Sequence, residues 1–218
     1  GDDQAAMAVR LSWRDDQARE LLQQDMVAIL RPLPDNEYLL EFQSLLTPAQ
    51  DKLTIGQSNF GIFAVRVSKN LSVHFGGGKL TSSEGAEDEA TGFGQYARWW
   101  DYSGPVRTGE TGEPLWDGIT YFDHPLNPNY PAHWHIREDG WMGASLTRNQ
   151  AIELTKETPL RLRYLLHVHS ERYDPLVAKR VAQTFESWPW LAIKKSSKKH
   201  QAYELIPKST PAAHENQD

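Results

Sequence analysis

The chain has 218 residues, 39% of them hydrophobic, which is enough to form the core of one large domain. Its formal charge of −6 argues against a nucleic-acid backbone as the main partner, since such binding depends on clustered Lys and Arg. The absence of cysteine excludes disulfide bonds, thiolate metal ligands and a cysteine nucleophile. No apolar run approaches the roughly 20 residues of a spanning helix, so we expect no membrane span.

Most of the chain is predicted to form β-strands, because runs rich in branched and aromatic residues alternate with turn residues. The predicted strands cover residues 6–13, 21–31, 37–46, 61–69, 96–102, 118–123, 132–140 and 160–170. Short turn sequences at 14–16 and 32–36 predict that the first three strands form an antiparallel meander.

One helix is predicted near the C-terminus. Asp174 can cap it, and Pro175 suits its first turn. Apolar residues then recur at helical spacing, at Leu176, Val177, Val181 and Phe185. The predicted fold is therefore an all-β antiparallel sandwich of the supersandwich kind, with this helix on its flank.

The predicted organisation is one sandwich domain, residues 1–193, followed by a polar tail, 194–218, that is disordered in part. Residues 76–94 are rich in glycine and acids and lack periodicity, so they form either a lid or a disordered insertion. The chain begins with Gly-Asp-Asp, as a processed chain would, and we expect a periplasmic or secreted protein.

Two H-x-H pairs occur in predicted strands, where residues two apart point to the same face. His133 and His135 could chelate a metal, and Asp139 has the parity to join them. Glu138 falls on the opposite face, and the cationic Arg137 opposes metal binding. We therefore predict no cofactor, with a divalent metal on the first three residues as the weaker alternative.

The second pair, His167 and His169, shares a strand face with Arg161 and Arg163. The other face of this strand carries Leu162, Tyr164, Leu166 and Val168. Such alternation is typical of a strand with one solvated side, so we expect a structural role for both histidines.

The stretch from residue 118 to residue 140 predicts an acid/base site. Asp123 and His124 end one strand, prolines stiffen the crossing, and the next strand carries His135 and Arg137 on one face. Imidazoles can transfer protons on a polyol, and a guanidinium can bind a carboxylate or oxyanion. His124 and His135 are thus the predicted catalytic residues, with Asp123 orienting one of them and Arg137 binding the substrate.

Further substrate contacts are predicted from aromatic residues and one arginine. Adjacent indoles in WWDY (99–102) lie on opposite faces, so at least one is buried; the other, Trp99, either has a structural role as well or forms a platform for a sugar ring. Trp141, beside the histidine strand, is the better platform. Arg66 lies among apolar residues, which predicts a buried guanidinium in either an ion pair or a substrate-anion contact.

The chain resembles the bacterial family catalogued as PmoA-like, or "methane oxygenase", in three stretches: GIFAVRVS (61–68), GFGQYARWWDYSG (92–104) and GITYFDHPLNPNYPAHWHIREDG (118–140). The resemblance extends from about residue 8 to residue 186. His133 lies within this span but does not clearly match a family motif position. The resemblance implies family positions at Arg66, Trp99, Tyr102, Asp123, His124, Trp134, His135, Arg137 and Gly140.

The resemblance also implies a fold similar to galactose-mutarotase-like sandwiches and a place in exported carbohydrate-degrading systems. The family name suggests a membrane copper oxygenase, but the sequence offers neither a membrane span nor a copper site of that kind. Family members carry a further N-terminal portion with a histidine-rich motif that has no counterpart here. Either a missing N-terminal fragment or partner chain completes the sandwich, or the site has been rebuilt.

The leading hypothesis is an exported carbohydrate-processing enzyme that hydrolyses, eliminates or epimerises a sugar. The residues that would bind the sugar are Arg66, Arg137, Trp99, Tyr102 and Trp141. One alternative is a non-catalytic carbohydrate-binding or assembly module, and the other is a metal-dependent oxygenase. The expected partner is a carbohydrate, without nucleic acid.

Overall fold

The structure is a computed structural model that describes residues 4–208. In chain order its strands are β1 (Ala5–Arg14), β2 (Glu20–Pro32), β3 (Tyr38–Pro48), β4 (Lys52–Ile55), β5 (Ala64–Arg66), β6 (Lys79–Ser82), β7 (Trp99–Thr108), β8 (Pro114–Asp123), β9 (Trp134–Arg137), β10 (Trp141–Ala144), β11 (Ile152–Thr155), β12 (Leu160–Ser170), β13 (Trp190–Lys195) and β14 (Tyr203–Lys208). The helices are the short α1 (Val73–Gly76) and α2 (Glu89–Gly92), and α3 (Pro175–Ser187). Single 3-10 turns occur at Pro34–Asn36 and Lys69–Leu71.

Seven strands form one antiparallel sheet, in the order β1-β2-β3-β12-β8-β7-β6. A three-stranded sheet, β5-β10-β9, and the pair β11-β4 form separate smaller sheets. Strands β13 and β14 form a hairpin. This architecture confirms the predicted all-β sandwich with one helix near the C-terminus.

The two faces of the large sheet bury different side chains. The face that carries Leu162 and Tyr164, the front face, packs against Trp134, Ile136 and Met142 of β9 and β10. The opposite back face packs against α3 through Trp99, Phe122, Leu165, Ala178 and Phe185. Each of the larger side chains contributes about 1.5–3 kcal/mol on burial, so both interfaces stabilise the sandwich.

The helix α3 begins as predicted. The Asp174 carboxylate accepts the backbone N–H groups of Leu176 at 2.7 Å and Val177 at 3.3 Å. Ala178 and Phe185 face the sheet, while Leu176 is 64% exposed and does not belong to the buried stripe that the spacing predicted. No helix in the described part of the chain is both long and apolar enough to cross a membrane.

The prediction of a solvated side for β12 is wrong, because the back face is covered and its polar residues are buried. Arg163 forms an ion pair with Glu41 and donates to the carbonyl of Trp188 at 2.9 Å. His167 contacts Glu37 at 3.2 Å, and His169 contacts Asp101 at 2.8 Å. The alternation was correctly identified, but alternation alone does not show what packs on the second face.

Several predicted boundaries also differ from the structure. The predicted strand 61–69 contains only β5, and the predicted strand 132–140 contains β9, after which Gly140, with φ of 105°, turns the chain into β10. Six strands were missed, β4, β6, β10, β11, β13 and β14, of which the first four have four residues each. Such short strands show too little alternation to be recognised.

Two predictions of disorder have different outcomes. Residues 76–94 contain β6 and α2, and α2 lies against β9, so they are not a disordered insertion. The polar segment from residue 194 contributes the end of β13 and all of β14. The last residues, 209–218, lie outside the described part of the chain.

Candidate functional site

Asp123 ends β8 and organises the loop that follows it. It is 5% exposed, and its carboxylate accepts N–H groups from His124 at 3.0 Å, Asn127 at 2.6 Å and Ala132 at 3.0 Å. Burial raises the pKa of Asp123 to about 7, while these donors act in the opposite direction. All three contacts are internal, so the carboxylate holds the loop in place rather than contacting solvent or the ring of His124.

His124 is 1% exposed and lies beneath α3. Its ring packs edge-on against Phe185 at 4.7 Å, and Nδ1 accepts the N–H of Leu126 at 3.1 Å. Burial, together with the nearby Arg163, lowers the pKa of His124 to about 3, so the imidazole is neutral. The structure therefore encloses this predicted acid/base residue instead of presenting it to a substrate.

His135 lies elsewhere, on the outer face of β9, within a cluster of aromatic rings. Phe60 stacks on it at 4.8 Å, Phe93 meets it edge-on at 4.9 Å, and Trp141 lies at 6.3 Å. Nδ1 donates to the carbonyl of Asn59 at 3.3 Å. Burial lowers the pKa of His135. In the described chain, no hydrogen bond or ring contact joins His135 to Asp123 or His124. The residues of the predicted acid/base site, Asp123, His124, His135 and Arg137, therefore do not converge in one cleft.

A groove of about 810 Å³ opens beside His133, one position before β9. His133 pairs across a strand bridge with Tyr96, and their rings are in contact, with centroids 3.7 Å apart and planes tilted by 33°. The groove is lined by residues from four separate segments, Glu84, Tyr96, Arg98, Asn129, Tyr130, Pro131, His133, Ser145, Leu146, Arg148, Asn149 and Gln150. It therefore combines an exposed aromatic ring with amides, guanidinium groups and an imidazole.

The hydrogen bonds of His133 define its tautomer. Nδ1 lies 2.7 Å from the carbonyl oxygen of Gly94, which can only accept, so Nδ1 carries the proton. Nε2 is then an acceptor, and it takes the amide N–H of the exposed Asn149 at 2.6 Å. A histidine held by a backbone carbonyl at one nitrogen, with the other facing a groove, has the arrangement of a general base.

Two arginines and one carboxylate line the groove. Arg148 lies over the Phe93 ring at 4.9 Å, which connects the groove to the aromatic cluster around His135. Its Nη1 is buried without a hydrogen-bond partner among the described residues. Arg98 pairs with Glu84 at 3.0 Å. Burial raises the pKa of Tyr130 to about 12, which keeps this phenol a hydrogen-bond donor.

The predicted substrate arginines are both on the surface. Arg66 is exposed, pairs with Asp139 at 3.5 Å and lies 5.4 Å from the Trp141 ring centroid. Its predicted burial is wrong because β5 is an edge strand of the three-stranded sheet. Arg137 is also exposed and pairs with Glu89 of α2 at 2.9 Å. Neither guanidinium lines the groove.

Two of the three predicted aromatic contacts are buried. Trp99 packs in the back-face core and donates to the Tyr173 hydroxyl at 3.0 Å. Tyr102 donates to the carbonyl of Glu138 at 2.8 Å, and burial raises its pKa to about 12. Neither ring can act as a sugar platform. Trp141 is half-buried in the aromatic cluster and stays a candidate.

The side chains considered as metal ligands do not converge. His133 and His135 direct Nδ1 to different backbone carbonyls, and Asp139 pairs with Arg66. Among residues 4–208, no group of three or more His, Asp or Glu side chains could hold a metal ion.

Sequence reasoning missed most of the groove. Tyr96 and Arg98 lie in the quoted stretch 92–104, but they were not proposed as site residues, and Arg148 and Asn149 lie outside the three quoted stretches. His133 was the one groove residue that the sequence analysis considered for a site, and it was considered as a metal ligand.

Fold and site together define an all-β sandwich protein with a polar, aromatic groove on its smaller layer. A sequence model of the family described as "Family of unknown function (DUF6807)" matches residues 1–183, and the chain belongs to this family. No curated protein and no solved structure matches the chain.

Proposed function

We propose that the chain is a carbohydrate-processing enzyme that binds its sugar in the groove beside His133. The observation that carries the proposal is the Nε2 acceptor of His133 in a groove that also offers an aromatic ring and several amides. Sugars are recognised by stacking of their C–H face on a ring and by hydrogen bonds to their hydroxyls. Tyr96 supplies the ring, and Asn129, Asn149 and Tyr130 supply the hydrogen bonds.

His133 would act as the general base of this site. A sugar hydroxyl that displaces the exposed Asn149 amide would place its proton against Nε2, while the carbonyl of Gly94 holds the Nδ1–H and stabilises the cationic ring that results. Arg148 would neutralise a sugar carboxylate or the oxyanion that forms on proton removal. Removal of the anomeric hydroxyl proton opens the sugar ring and allows epimerisation at that carbon. Elimination would instead require Nε2 to take the C–H proton beside a carboxylate bound by Arg148, and hydrolysis would require it to take the proton of an attacking water.

The experiment compares the wild-type chain with His133→Gln and Arg148→Gln on a panel of neutral and acidic oligosaccharides, with products followed by mass spectrometry. We expect His133→Gln to lower turnover by at least about a hundredfold, in the range of a lost general base. His74→Gln, an exposed histidine on α1, is the matched control and should retain activity. Equal turnover by His133→Gln and wild type would contradict the proposal.

A second candidate function is a non-catalytic carbohydrate-binding module. It is favoured by the enclosure of His124 and Asp123, which removes the acid/base pair predicted from the motif. Binding would then be detected by saturation-transfer NMR, without product on long incubation. Tyr96→Ala should abolish the signal under either function, and product formation decides between the two.

A further inference from the structure

One arginine of the groove has no acidic partner. Around the smaller layer, Arg66, Arg98 and Arg137 each pair with a carboxylate, at distances between 2.9 and 3.5 Å. Arg148 forms no ion pair within the described chain, and its Nη1 is buried without a hydrogen-bond partner there. A half-buried guanidinium in this state has lost hydration without gaining a partner, so it offers a binding place for a carboxylate that the ligand brings.

The same glycine contacts both this guanidinium and the imidazole of the proposed base. The carbonyl of Gly94 accepts the Nδ1–H of His133 at 2.7 Å, and a Cβ added to Gly94 would lie 2.4 Å from Nη2 of Arg148. The guanidinium also packs on the ring of Phe93, 4.9 Å from its centroid. A carboxylate bound by Arg148 therefore lies in the same part of the groove as the accepting Nε2 of His133.

A phenol adds a proton donor to the groove. Tyr130 lines it three residues before His133, so the two Cα atoms lie within about 11 Å of each other. Burial raises the pKa of Tyr130 to about 12, so its hydroxyl keeps the proton at neutral pH. Within residues 4–208 no protein group accepts this proton in a hydrogen bond, which leaves it available to a ligand. The groove therefore contains both a base and a neutral acid.

The groove does not offer the carboxylate pair of a glycoside hydrolase. Glu84 is the one carboxylate among the described residues that line it, and Arg98 pairs with this side chain at 3.0 Å. Hydrolysis of a glycosidic bond ordinarily uses two carboxyl groups, one on each side of that bond. A base, a neutral acid and an unpaired cation suit a different reaction, the removal of a proton next to a carboxylate.

We propose that the substrate is a uronate-containing glycan and that the chain cleaves it by elimination, which rests on the carbohydrate-processing function proposed above. Nε2 of His133 takes the proton from C5, next to the carboxylate that Arg148 binds and neutralises. The electron pair of that C–H bond forms a double bond between C5 and C4, and the bond from C4 to the glycosidic oxygen breaks. This oxygen leaves with its electron pair and takes the proton of the Tyr130 hydroxyl. Solvent then carries the proton of His133 back to the Tyr130 phenolate, so no water is consumed.

The first experiment offers the full chain oligosaccharides of galacturonate, glucuronate, mannuronate and guluronate, beside the same oligosaccharides with their carboxyl groups reduced to alcohols. Elimination leaves a double bond conjugated with the carboxylate, which absorbs in the ultraviolet, whereas hydrolysis and epimerisation give saturated products. We expect this absorbance from at least one uronate and from none of the reduced forms. That uronate should bind at least about tenfold more tightly than its reduced form, and Arg148→Gln should remove the preference.

The outcomes separate this proposal from the function on which it rests. Saturated products, no product from any of the four uronates, or equal binding of the uronate and reduced forms would each overturn the elimination. Turnover of a neutral sugar would then leave the carbohydrate-processing function standing. A chain that binds none of these sugars in saturation-transfer NMR would contradict both.

Two substitutions separate the base from the acid. His133→Gln should lower elimination by at least about a hundredfold on every substrate. Tyr130→Phe keeps the ring, so it should bind the uronate like wild type and lose elimination to a similar extent. It should recover on a uronate that carries fluoride at C4, because fluoride leaves without taking a proton. Tyr203→Phe, on β14, is the matched control, an exposed tyrosine that should leave activity unchanged. Full activity of Tyr130→Phe on oligosaccharides, or no recovery on the fluoride, would overturn the proposed mechanism.

Discussion

At the scale of single residues, the groove depends on one glycine. Gly94 has φ of 76°, its carbonyl holds Nδ1 of His133, and its N–H donates to the carbonyl of Trp134 at 2.7 Å. A Cβ added at this position would clash with the guanidinium of Arg148. The residue therefore positions both the imidazole and the cation of the proposed site, although it carries no side chain.

Gly94→Ala should lower the free energy of unfolding by about 1–2 kcal/mol through backbone strain, and should also displace Arg148. Urea unfolding measures the first effect, and acidic-sugar binding measures the second. Gly85→Ala is the matched control, because Gly85 also has a positive φ, 90°, but its Cβ would meet nothing within 4 Å. Equal loss of sugar binding in both variants would contradict the positioning role of Gly94.

At the scale of elements, α3 covers His124 of the recognised motif and buries its side chain. The helix covers the back face, and Phe185 closes over the ring of His124. The motif that contains Asp123 and His124 was recognisable in the sequence, and the structure buries both side chains, which the motif did not indicate. Two residues next to a catalytic-looking strand end can serve to fix a loop, and only the position of α3 distinguishes the two roles.

The burial of His124 predicts a loss of stability in acid. Its pKa is lowered to about 3 in the folded state, whereas the unfolded chain protonates near 6.5. The contribution is therefore complete above pH 6.5 and is lost as pH falls toward 3, by about 2 kcal/mol at pH 5. Unfolding of the wild type and His124→Gln at pH 7 and pH 5 should show a smaller pH effect in the variant.

Nitrogen-15 NMR of the wild-type imidazoles provides a check on this titration that needs no variant. The His124 ring should stay neutral from pH 8 to pH 5. The exposed His74 provides the internal comparison within the same spectrum. A His124 ring that gains a proton near pH 6.5 would contradict its enclosure beneath α3.

At the scale of the whole molecule, a buried ionic network ties the sheet to the segment after α3. The Glu41 carboxylate of β3 accepts from Arg163 of β12 and from the side-chain amide of Gln43. The side-chain amide oxygen of Gln43 in turn accepts the N–H of Leu191 at 2.8 Å. Arg163 also donates to the carbonyl of Trp188. Glu41 also pairs with Arg31 at 2.9 Å, so it keeps one partly exposed cation when Arg163 is removed, whereas Arg163 is left buried without a carboxylate when Glu41 is removed.

Arg163→Met should destabilise the fold by about 3 kcal/mol, because Glu41 would lose its buried partner and keep only the partly exposed Arg31. The double variant Arg163→Met/Glu41→Leu should regain most of this loss, since the buried pair is gone and the partly exposed Arg31 can be solvated. Arg107→Met, which breaks an exposed pair with Asp117, should change stability by less than about 1 kcal/mol. Chemical unfolding measures all three, and a double variant no more stable than Arg163→Met would rule out the charge explanation.

Local patterns were enough to predict the class of fold, the cap of α3 and the two faces of β12. Alternation and capping depend on residues a few positions apart, so a single chain displays them directly. Burial was not predictable from such patterns, because it depends on what packs from elsewhere. Covering layers enclosed His124, Trp99 and Arg163, while the edge position of β5 left Arg66 exposed. Likewise, the groove beside His133 exists only because folding brings four distant segments together.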